Sequence, residues 1–65
     1  MNAVKTYYRL IPSNGEARLL DTMSEALDAA HKLRKRNRGY FLYEVTEIGN
    51  KKESRFMSSW RGGAE

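Results

Sequence analysis

The densest chemistry in this sequence is the run Lys32-Leu33-Arg34-Lys35-Arg36-Asn37-Arg38, where five of seven side chains are cationic. Clustered Lys and Arg hold anions, and a phosphate backbone rewards them most, because each neutralised phosphate releases condensed counterions. Lys32, Lys35 and Arg36 share one helical face, and Arg34 and Arg38 complete a basic patch suited to nucleic acid. The same gradient has a second explanation. Asp21, Glu25 and Asp28 precede the cations, the order that a helix dipole favours, and Asp28 to Lys32 is an i,i+4 pair of the better orientation. No helix-turn-helix, zinc finger or phosphate-cradling glycine loop accompanies the patch, so sequence-specific DNA reading has no motif behind it.

Catalysis finds little to work with. His31 is the single histidine, with Asp28 three residues before it as an orienting acid, and the chain has no cysteine. No serine sits in a nucleophile-elbow context and the acids are scattered, so a nucleophile, a base and an orienting group cannot be assembled. One histidine without cysteine or spaced carboxylates also argues against a metal site. The expectation is no enzyme, no cofactor and no small-molecule substrate. Trp60-Arg61-Gly62-Gly63 has the composition of a nucleic-acid tail, but one copy is not a repeat, and a Trp at a strand end is expected to close the sheet.

The elements that must position these groups begin with a helix. Thr22-Met23-Ser24-Glu25 reads as a capping box, with the Thr22 hydroxyl on the Glu25 N–H and the Glu25 carboxylate returning to the Thr22 N–H. Met23, Ala26, Leu27, Ala30 and Leu33 recur at spacings of three and four, which predicts the buried stripe. Gly39, or Asn37 as the alternative, supplies the left-handed residue that ends the helix between Arg36 and Arg38.

Val4 to Ile11 alternates and is rich in β-branched and aromatic residues, which predicts a first strand with Val4, Tyr8 and Leu10 on one face. Pro12-Ser13-Asn14-Gly15 then turns the chain into a short partner at Ala17 to Leu20. After the helix, Tyr40 to Ile48 is the strongest strand pattern, and Gly49-Asn50-Lys51 turns it into Glu53 to Trp60. The inward sets that leave most charge outside are Phe41, Tyr43 and Val45, and Phe56, Ser58 and Trp60. The predicted fold is α+β, a single domain at 1–60 in the order β-β-α-β-β, one helix on one face of an antiparallel sheet, with 61–65 a fraying tail.

One helix covers one face, so the other stays open. By alternation it is expected to carry Tyr7, Arg9 and Ile11 with Lys5, Tyr40 and Leu42 with Glu44, and Arg55 and Met57. Such a surface suits a protein interface, or bases stacked on Tyr7 and Tyr40 with Arg9 and Arg55 near phosphates.

Composition bounds the rest. At 65 residues, 40% apolar, 31% charged and net +4, the chain is one small globular domain. A domain of this size buries only about 60% of its unfolded surface, which favours a homodimer or a stabilising partner. Without cysteine, leader pattern or long apolar run it reads as a soluble protein of a reducing compartment, the cytoplasm by default, with no membrane role. The function expected is a small non-enzymatic binding module, of the accessory or inhibitor type found in bacteria and their phages. It acts through a protein interface; nucleic-acid binding is the alternative.

Overall fold

The computed structural model describes residues 3–62. Five elements follow in the expected order: β1 (Val4–Pro12), β2 (Arg18–Leu20), α1 (Met23–Lys35), β3 (Arg38–Ile48) and β4 (Lys51–Gly62). The strands form one antiparallel sheet in the order β2-β1-β3-β4, and α1 packs on one face of it, an α+β architecture. No helix among the described residues is long and apolar enough to cross a membrane.

Local chemistry explains where the elements begin and end. Thr22, in extended backbone, accepts from the Glu25 N–H at 3.1 Å and caps α1. The Glu25 carboxylate returns to the Asp21 N–H at 3.2 Å, one residue earlier than a standard capping box. Asn37 takes the left-handed φ of 59° just past the Arg36 cap, so it fills the role for which Gly39 was the first candidate. Gly39 lies inside β3, buried, where a Cβ would collide with the Arg61 carbonyl oxygen. At the far end Gly49, first of the two residues joining β3 to β4, has φ 59°, as the first central position of a type II′ turn requires. β4 continues through Arg61 and Gly62, so the predicted tail begins as ordered strand; residues 63–65 lie outside the described residues.

The helix buries a different stripe from the one its spacing predicted. Ala26, Ala29 and Ala30 are buried and Leu33 packs beside them, whereas Met23 and Leu27 are exposed, Leu27 by 54%. Ala29 was missing from the predicted stripe, and it rotates the contact face away from Leu27, which stands about 100° round the helix from Ala26. With alanines as its inner surface, α1 leaves the bulk to the sheet: Tyr8, Leu10, Tyr40 and Leu42 fill the layer, with Leu20, Leu33, Met57 and Trp60 at its margin.

The molecule measures 50 × 17 × 17 Å. Thirteen helical residues rise only about 20 Å, while the eleven of β3 span about 37 Å. The sheet therefore outruns its helix, and the part holding Val4, Thr6, Thr46 and Ile48 projects as a ribbon past the end of α1.

Candidate interaction face

The faces of the sheet follow from its register. Leu10 stands opposite Leu42, and Pro12 opposite Tyr40, so the alternate residues that carry Leu10 under the helix carry Leu42 and Tyr40 with it. The face away from the helix is then built in rows. Ile11, Phe41 and Ser59 form one row. Leu19, Arg9, Tyr43 and Phe56 form the next and cross all four strands. Tyr7, Val45 and Ser54 follow, and Lys5, Glu47 and Lys52 make the outermost row on the projecting ribbon.

Tyr7, Arg9 and Ile11 stand where alternation of β1 put them. Four other site residues do not. Tyr40 and Leu42 are buried beneath α1 and cannot meet a partner; the open face carries instead Phe41 and Tyr43, which had been expected inside, while Val45 on the same side is fully buried, as expected of it. Both alternating sets of β3 are apolar, so only charge argued for one over the other, and the charge criterion failed because the sheet outruns the helix. Glu44 shares the helix-side face, opposite Tyr8 of the core cluster, and Arg55 donates to its carboxylate at 2.9 Å. Arg55 is therefore on the helix side as well.

A β-bulge moves the fourth. Leu42 pairs with Ser58 but Tyr43 with Phe56, so Met57 is the extra residue and packs against the core instead of the open face. The same bulge sends Phe56 and Trp60, expected on one face, to opposite faces. Trp60 closes the core with Ser58 beside it, and Phe56 meets the edge of Tyr43 on the open side, ring centres 5.8 Å apart at 72°. Leu19 on β2 is the other contributor that sequence reading missed; its pairing with Arg9 follows from the short hairpin register.

This face is apolar at its middle and polar at its end. Phe41 and Phe56 are 51% and 54% exposed and Leu19 63%, while Tyr43, Ile11 and Arg9 are half-buried and Tyr7 and Val45 buried. In the outermost row Glu47 accepts from the Tyr7 hydroxyl at 2.7 Å and meets Lys52 at 3.5 Å. The Tyr7 hydrogen bond, more than the neighbouring Lys52 and Lys5, holds the Glu47 carboxyl below the usual carboxylate range, against the opposing effect of burial. Lys5 also lies over the Tyr7 ring, 5.6 Å from its centre.

The basic run occupies the other layer. Lys32 pairs with Asp28 at 3.4 Å, the guanidinium of Arg34 lies 5.7 Å from the centre of the Trp60 ring, and Lys35, Arg36 and Arg38 are exposed. His31 is exposed on α1, and Asp28, its expected orienting acid, is the acid that pairs with Lys32. Comparison with family models, curated proteins and solved structures finds no match to this chain.

Proposed function

We propose that this protein is a non-enzymatic binding module that docks a protein partner on the bare face of its sheet. The observation that carries the reading is the cluster of Phe41, Phe56 and Leu19, each more than half exposed, beside Ile11 and Tyr43 on one face that α1 leaves uncovered. Contiguous exposed aromatic and aliphatic groups of this kind mark interfaces, whose centres favour Tyr, Phe and Arg. A domain this small gains from any stabilising contact, and the partner is a different protein or a second copy. A sequence with no cysteine suits such work in the cytoplasm.

Nucleic-acid binding is the competing reading, and it rests on the exposed Lys35, Arg36 and Arg38. It is weaker because single-strand recognition couples stacking with phosphate contacts on one surface. Here the basic run belongs to the helix layer, and the exposed phenylalanines face the opposite way. The test is affinity capture from lysate with and without nuclease, using the native protein, Phe41→Ser with Phe56→Ser, and Lys35→Glu with Arg36→Glu. Nuclease-resistant capture that is lost with the phenylalanines supports protein docking. Nuclease-sensitive capture that is lost with the basic pair overturns it.

A further inference from the structure

Arg9 is the one charged side chain in the three inner rows of the open face. Leu19 and Tyr43 flank it across the strands, and Tyr7 and Ile11 are its neighbours along β1 on the same side. It is half-buried and, among the described residues, makes neither an ion pair nor a side-chain hydrogen bond. The charges of the outermost row are answered within the protein: Glu47 takes both the Tyr7 hydroxyl and Lys52, and Lys5 lies over the Tyr7 ring. A partner covering Phe41 and Phe56 takes water away from Arg9 as well, and a guanidinium so desolvated must be met by an anion or the contact is lost.

Resting on the docking reading above, we infer that the partner of this face is a protein segment that sets an Asp or Glu carboxylate among apolar side chains, with Arg9 as the group that selects it. A guanidinium fork receives a carboxylate through two parallel hydrogen bonds, which adds orientation to charge. A second copy of this chain is a poor occupant. A two-fold axis through the middle of the face brings Arg9 against Arg9, and Glu47, the acid in the outermost row, is already engaged. A nucleic acid also carries anions, but the densest run of cations, at 32–38, lies in the other layer, and Lys52 on this face is engaged with Glu47.

The test is selection of random peptides, displayed on phage, against the immobilised protein, followed by titration of the best synthetic peptide. Enriched sequences are expected to place Asp or Glu beside aromatic or aliphatic residues. Affinity is expected to fall about tenfold or more with Arg9→Gln, to recover in part with Arg9→Lys, and to fall with Phe41→Ser. Arg9→Glu, used in the same selection, is expected to enrich basic peptides instead. Circular dichroism of each variant establishes that it is folded. Acid-free peptides whose affinity survives Arg9→Gln but not Phe41→Ser overturn the inference and leave the docking reading standing. Peptides indifferent to both Phe41→Ser and Phe56→Ser overturn the docking reading itself. Two further results overturn the inference by naming another occupant. One is a dimer in sedimentation that Phe41→Ser dissociates. The other is tight binding of a labelled single-stranded oligonucleotide, at about 150 mM salt, that is lost with both Arg9→Gln and Phe41→Ser.

Discussion

The Tyr7 hydroxyl reaches Glu47 diagonally across the β1 and β3 pair, 2.7 Å from Oε2, although the direct partners of these residues are Val45 and Lys5. The bond ties the middle of the open face to its charged end, and it holds the Glu47 carboxyl below its ordinary value in the folded protein. A carboxyl depressed on folding adds stability above its unfolded value, and that part is lost as pH falls through the folded one. Thermal stability is thus expected to decline below about pH 4.3, the ordinary glutamate value. In Tyr7→Phe the Glu47 carboxyl is expected to titrate higher and this acid-dependent part to shrink. Carboxyl carbon chemical shifts of Glu47, followed against pH in both proteins, check the direction.

Leu10 and Leu27 test which side of the helix layer is core. Leu10 is fully buried, and Leu10→Ala is expected to cost about 2 to 5 kcal/mol, enough to unfold much of so small a domain. Leu27→Ala removes an exposed side chain and is expected to change stability by no more than about 0.5 kcal/mol. Ala26→Leu pushes bulk into a site with no exposure and should cost about 1 to 3 kcal/mol. Urea denaturation followed by circular dichroism ranks the three.

What the sequence made legible divides along physical lines. Strand and helix order, the Thr22 cap and the faces of β1 could be read because each rests on neighbouring residues. The face of β3 could not, because Tyr40 with Leu42 and Phe41 with Tyr43 are equally apolar sets, and the choice is made by Leu10 across the register. The bulge at Met57 is likewise invisible in Arg55-Phe56-Met57-Ser58, since it depends on how two strands meet. Leu27 misled for a related reason: a helix stripe is defined by its strongest hydrophobes in sequence, but by closest approach in the fold, and alanine approaches closest.

Gly39 and Gly62 are expected to tolerate no side chain. A Cβ at Gly39 meets the Arg61 carbonyl, and one at Gly62, at φ 69°, meets the backbone of Arg38 and Gly39. Gly39→Ala is expected to cost about 1 to 3 kcal/mol and to unpair the end of β4. Faster amide exchange at Trp60 and Arg61 would report that loss.

Thr22→Ala removes the acceptor for the Glu25 N–H and is expected to cost about 1 kcal/mol. Thr22→Ser keeps the hydroxyl and should retain most of it. A thermal melt of the two variants side by side separates loss of the cap from loss of the methyl group.

Lys35→Glu with Arg36→Glu is expected to abolish a weak polyanion affinity that falls steeply with salt, while partner capture through Phe41 and Phe56 persists. Fluorescence titration with labelled single- and double-stranded oligonucleotides at two salt concentrations measures the first half, and capture from nuclease-treated lysate the second.

Docking on the bare face of the sheet is tested most directly by a photo-crosslinking residue placed in turn at Phe41, at Phe56 and, on the helix layer, at Lys35. Illumination in cells should yield protein adducts of defined size from positions 41 and 56, unchanged by nuclease, and none from 35. Adducts confined to position 35 and dissolved by nuclease would contradict it, and would place the working surface on the basic end of α1.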